Sequence, residues 1–190
     1  LLTGIVLLAF GGATLQTAKD RSPPEVADTP TPPIGGFRTA AADWLWLENN
    51  LAWEARDAGR VRRLINLTVR TDPESRYFWL NSARMLAYDL PAWRARLEPN
   101  APAAARARWR RDGAEEALRL LDRGLRWHGN SAALYLEKGS VCLYGLGDRT
   151  GAAECFRLAA TQTDTPEFAK RIWHRLSARA DFAPANPVRP

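Results

Sequence analysis

The side chains that could do chemistry are few, and their spacing is poor. Two carboxylate pairs, Asp43 with Glu48 and Glu115 with Glu116, are the available options for acid–base work on a glycosidic bond beside tryptophan platforms. Glu115 and Glu116 are adjacent, so on a helix their side chains diverge by about 100° and cannot flank one bond. Asp43 falls near a helix start, where an acid complements the helix dipole. His128, His174, Cys142 and Cys155 lack the ligand spacings of a zinc site. No Ser–His–Asp arrangement or phosphate loop is present. The chain therefore reads as a non-enzyme with no implied cofactor.

Positive charge is what the sequence concentrates. The formal charge is +6. Between Leu90 and Arg111 six arginines (94, 96, 106, 108, 110, 111) face one acid, Glu98, for a local excess of +5. Such a patch suits an acidic protein, anionic lipid or nucleic acid, and it also suits a plain solvated helix face. Nucleic acid is disfavoured because no binding motif accompanies the charge. Arg106, Arg108, Arg110 and Arg111 are thus candidate contacts for an acidic partner.

Elements that could position these groups follow from the chain in order. Its 190 residues suit one domain with an appendage, and 46% hydrophobic with 25% charged residues is ordinary for a globular protein. A folded part of roughly 150 residues buries about 70% of its extended surface, so no disulfide is required. Eight tryptophans are more than usual. They are expected to fill wide gaps between helices, the other reading being an aromatic-lined groove.

Residues 1–15 (LLTGIVLLAFGGATL) are uncharged and apolar but shorter than a span of about 20 residues. The chain does not begin with Met, so further upstream residues are expected. The segment reads as the end of an N-terminal membrane anchor. The alternative is a cleaved signal peptide, for which Gly11, Gly12 and Ala13 offer no clean Ala-x-Ala site. Residues 16–34 form a linker with five prolines between Ser22 and Pro33, expected to be an extended spacer.

A helical domain is expected over 35–180. The first helix runs to about Arg56, with Ala41, Leu45, Leu47, Leu51 and Ala52 as its apolar set. After Asp57-Ala58-Gly59 a second helix, Arg60 to about Arg70, presents Val61, Leu64, Ile65 and Thr68. A third is expected from Glu74 to about Asp89. Residues 90–111, with three prolines and the arginine excess, read as an insertion that is functional, partly helical or mobile. Residues 103–111 could lengthen the next helix, although Asp112-x-x-Glu115 resembles a capping box and places a boundary near Gly113 equally well. Helices then follow over 114–127, 132–144 and 150–161. Gly145-Leu146-Gly147-Asp148 is a tight turn between the last two, placing Cys142 and Cys155 on facing helices, as buried free thiols or, with Cα atoms within about 7 Å, as a disulfide. Thr165-Pro166-Glu167 starts a terminal helix, with Thr165 as N-cap and Phe168, Ile172 and Leu176 on its apolar stripe. Residues 181–190 carry three prolines and read as a flexible tail.

One pattern appears twice. Ala117, Leu121 and Gly124 precede the Gly129-Asn130 turn, and 35 residues later Ala152, Phe156 and Ala159 precede Asp164-Thr165-Pro166. Small–large–small at i, i+4, i+7 is one helix face where a neighbour approaches closely. With this period the chain resembles a tetratricopeptide-repeat protein, with Leu136, Ser140, Leu143, Ala152, Phe156 and Ala159 at the signature positions. Glu48 departs from the pattern, standing where the first repeat calls for a large apolar residue.

The chain is also similar to bacterial membrane-anchored proteins with degenerate repeats. The match lies in Gly35-Gly36-Phe37-Arg38, Asp43-Trp44-Leu45-Trp46-Leu47, Met85-Leu86-Ala87-Tyr88-Asp89 and Leu121-Asp122-Arg123-Gly124-Leu125-Arg126. The resemblance implies an all-α, right-handed solenoid of about three helical hairpins with a capping helix, held at the bacterial inner membrane with the repeats extracytoplasmic, or secreted to the periplasm after cleavage. It implies no activity. The expected function is a scaffold or protein-binding module whose first helices line a concave surface, with a structural subunit of a membrane complex as the alternative. Candidate contacts on the first helices are Asn49, Asn50, Arg84, Tyr135 and Lys138, whose basic members suit an acidic peptide.

Overall fold

The computed structural model describes residues 35–177. The expected anchor, linker and tail fall outside the described residues. Those described are all-helical, with no strand among them. Seven helices follow one another: α1 Gly35–Glu54, α2 Ala58–Thr71, α3 over 76–97, α4 Ala103–His128, α5 over 132–146, α6 Arg149–Ala160 and α7 Glu167–Ser177.

Short links force antiparallel pairs, and side-chain contacts give the register. α1 and α2 close at one end through the Glu48–Arg60 ion pair and at the other through Arg38 Nε donating to Thr71 O at 3.2 Å. Asp57, in the stretch expected between the two helices, caps α2: its carboxylate accepts from Arg60 N at 2.9 Å. In the second pair Gly124 of α4 lies against the Trp79 ring of α3, and at the opposite end Arg94 stacks on Trp109. In the third, Gly139 of α5 lies against Phe156 of α6. Gly147 turns the chain between them at φ 71°, a left-handed conformation that glycine adopts without strain.

First helices of successive pairs run parallel. Trp46 packs on Phe78 and Trp53 on Trp93, while further along Arg84 of α3 meets Glu137 of α5. Second helices do the same through Arg62–Glu116. The main core joins Trp46, Ile65, Trp79, Leu86, Trp93 and Leu121 across the first two pairs, and a smaller cluster of Cys142, Ala152, Cys155 and Phe156 fills the third. Trp46, Trp79 and Trp93 fill interhelical space as expected of aromatic residues, whereas Trp44, Trp53 and Trp127 stand exposed.

Several expectations change. Of the expected α1 apolar set Ala52 is buried and Leu45 half-buried, but Ala41, Leu47 and Leu51 face outward, and Ala42, Trp46 and Asn49 face inward in their place. α3 does not stop near Asp89. Its residues Met85–Asp89 form one π-helical turn, and the α-helix resumes over Leu90–Leu97. Pro91 has no N–H and its ring crowds the preceding turn, so a proline here would normally break the helix; the wider turn just before it absorbs the mismatch.

Residues 90–97 and 103–111 therefore lengthen two paired helices, leaving 98–102 as the link. Gly113 marks no boundary. A Cβ there would lie 2.5 Å from Leu86 O and 2.7 Å from Pro91 Cγ, so only glycine admits the π turn. A second π turn, Val141–Leu146, brings Gly145 onto the neighbouring Ala114. Finally, the Thr165 hydroxyl sits 2.5 Å from both Ala159 O and Gln162 O. It caps the end of α6, where carbonyls lack helical partners, and not the start of α7.

Candidate functional site

Stacking parallel first helices leaves a furrow between them, and here the furrow widens into a groove. It lies among α3, α5 and the start of α7, with a volume of about 600 Å3. Leu80, Leu136 and Phe168 supply apolar surface, while Arg76, Arg84 and Glu137 supply charge. The charged groups are held in place. Arg84 Nε and Nη2 reach Glu137 Oε2 at 2.9 and 2.8 Å, and Glu137 is buried. Asp164 accepts from Arg76 Nη1 at 2.8 Å through one oxygen and from Ala132 N at 2.8 Å through the other. That single carboxylate ties α3, the first turn of α5 and the link to α7 together.

The groove keeps part of the expected contact set. Arg84 lies in it, exposed on one side and anchored by Glu137 on the other. Tyr135 and Lys138 share α5 with it but are absent from its lining. Lys138 donates to Asp122 Oδ1 of α4 at 2.6 Å and so braces two helices. Burial works against its charge, but Asp122 outweighs burial and holds the ammonium above its usual range. Asn49 must be withdrawn as a partner contact. It is fully buried, its Nδ2 contacting Met85 Sδ at 3.3 Å and its Oδ1 unpartnered among the described residues. Asn50, beside it, is half-buried and lies outside the groove.

The arginines fall at the far end of the second pair. Arg108 pairs with Asp112 at 3.8 Å, and Arg94 pairs with Glu98 at 3.2 Å while stacking on Trp109 at 4.5 Å. Arg106 and Arg110 line a second, smaller cleft of about 280 Å3 with Tyr88 and Tyr144, and Arg111 lies outside it. The structure thus separates four arginines that look alike in sequence. Burial pushes the Tyr88 phenol up to about 12, helped by the Glu137 charge and opposed by Arg84. It remains a hydrogen-bond donor at neutral pH.

Sequence reasoning missed Glu137, Asp164, Phe168, Tyr88 and Tyr144 as lining residues. Tyr88 did lie inside a recognised block, but nothing in its neighbours told that a π turn would aim it at α5.

Cys142 and Cys155 are free and buried, and they belong to one apolar cluster across the third pair. The neighbouring Cys142 thiol, together with burial, pushes the Cys155 thiol above its usual range. His128 Nε2 lies 3.0 Å from Pro73 O, fixing the link into α3. Among the described residues no three His, Cys, Asp or Glu side chains converge on a point, and no helix is long and apolar enough to cross a membrane. Comparison with known protein families, with curated proteins and with solved structures finds no match to the chain.

Proposed function

We propose that the chain is a non-enzymatic protein-binding module, a tetratricopeptide-like array held at a bacterial inner membrane by its N-terminal segment, with the helical domain extracytoplasmic. The observation that carries this reading is the groove of about 600 Å3 between the first helices α3 and α5 and the start of α7. Its apolar floor and prepaired Arg76 and Arg84 suit an extended or helical peptide with acidic residues, which would share guanidinium donors already oriented by Asp164 and Glu137. Ala117, Leu121, Gly124, Ala152, Phe156 and Ala159 are all buried at the positions a tetratricopeptide register requires, which supports the repeat reading.

A second reading, a structural subunit of a membrane complex, is favoured by one feature of α1. Phe37, Trp44, Leu47 and Leu51 recur at helical spacing on its outer face, each more than half exposed. A contiguous apolar stripe of this kind marks a contact surface.

The test is purification of the full-length, detergent-solubilised protein from its native membrane, with mass spectrometry of what accompanies it. A defined protein partner at constant ratio supports binding, and a fixed set of membrane proteins supports the subunit reading. Recovery of the chain alone contradicts both.

A further inference from the structure

Two arginines on α4 stand apart from the rest. Along one face of this helix Ala114, Ala117 and Leu121 are buried against neighbouring helices. Arg110 and Arg106 continue that face one and two turns earlier, about 6 Å apart along the axis. There α5 has already ended: Gly145, in its last turn, rests on Ala114. The face that packs as alanine lower down therefore overhangs as arginine.

The two π turns, Met85–Asp89 and Val141–Leu146, meet α4 at Gly113 and Ala114 and each contributes one tyrosine, Tyr88 and Tyr144, to the cleft above. Such turns occur often at functional sites because they redirect side chains without ending the helix. Small groups, Pro91, Ala92 and Ala95, form the floor. Arg94 and Arg108 nearby are matched by Glu98 and Asp112, but among the described residues no carboxylate pairs with Arg106 or Arg110.

We propose that this cleft binds an acidic segment of a protein partner, with carboxylates on Arg106 and Arg110 and one apolar side chain between Tyr88 and Tyr144. Charge complementarity selects an anion, and guanidinium forks favour carboxylates in a defined plane. The volume of about 280 Å3 lies just under the range of about 300–1,000 Å3 typical of small-molecule sites, and is the right scale for a side chain. A lipid surface fits less well. At the tip of this helix pair Leu97 is the one large apolar residue exposed over 97–103, and Glu98 is beside it. The inference rests on the protein-binding reading above and adds a second contact point to it.

The test uses the full chain and a fluorescent pentapeptide with a leucine between two pairs of glutamates. Saturable binding is expected, weakened about tenfold or more in R106E/R110E. The control R96E/R111E changes net charge equally but touches two exposed arginines off the cleft. It should stay within about twofold of the parent. Unchanged circular dichroism melting in both variants establishes that folding is intact. Equal loss in the two variants, or no saturable binding, overturns the proposal. So does capture by phosphatidylcholine vesicles containing phosphatidylserine when the peptide is not bound. If R106E/R110E still co-purifies with every native partner, the cleft has no part in that association while the module reading stands. A wild-type chain that recovers no partner removes the module reading itself.

Discussion

Gly113 of α4 lies directly beneath the Leu86 carbonyl of α3, so close that a Cβ would fall 2.5 Å from the oxygen. The carbonyl belongs to the π turn preceding Pro91, and the Pro91 ring occupies the other side of the same gap. Sequence, backbone distortion and packing meet at this one contact. Gly113→Ala should therefore cost about 1–3 kcal/mol, because a backbone carbonyl cannot swing aside as a side chain can. Urea unfolding checks this. An unchanged midpoint would mean that the two helices separate freely.

Arg84 and Glu137 join the first helices of successive pairs. Glu137 is buried and Arg84 partly solvated, so removing the arginine leaves a carboxylate short of donors. Arg84→Ala should destabilise the fold by about 1–3 kcal/mol, the lower part of the range applying because water reaches Arg84. In a double-mutant cycle with Glu137→Gln the two losses should fall short of additive. Full additivity would deny the pair.

His128 makes stability depend on pH. Burial lowers its pKa in the folded state, with the Pro73 carbonyl opposing. The unfolded chain then binds the proton more readily, so stability is full above the ordinary value of about 6.5 and is lost as pH falls through the folded value. Melting temperature should drop between about pH 7 and 5, and His128→Gln should flatten that slope. A slope unaltered by the substitution would assign it to other groups.

How much of this could be read from the sequence differs from helix to helix. α2 is legible because Val61, Ile65 and Thr68 form one inward stripe, although it starts at Ala58 behind the Asp57 cap, two residues before the expected Arg60. The third pair was legible because Gly147 and Asp148 mark the turn, with Asp148 accepting from Gly151 N at 2.9 Å. α1 misled because it carries two stripes, and the outer one is the more apolar. Periodicity detects a stripe but does not say which side has a neighbour, so by pattern alone Leu47 reads as inside and Asn49 as outside. α3 was cut short because proline rules describe α-helical turns, and a π turn relaxes them. The cleft at Tyr88, Arg106, Arg110 and Tyr144 joins residues up to 56 positions apart, and no local signal links them.

The outer stripe of α1 separates the two functional readings. Trp44→Gln, Leu47→Lys and Leu51→Gln together alter exposed side chains, so stability should move by no more than about 0.5 kcal/mol per site. Loss of native partners from this variant assigns association to α1 and favours a structural subunit. Retention assigns it to the groove.

The most direct test of protein binding by the groove is site-specific photo-crosslinking in native membranes. A benzophenone side chain at Phe168, half-exposed on the groove wall, is compared with one at Leu67, equally exposed on α2 and away from it. The account predicts a discrete protein adduct from Phe168 and none from Leu67. Adducts from both positions alike, or from neither, would contradict it.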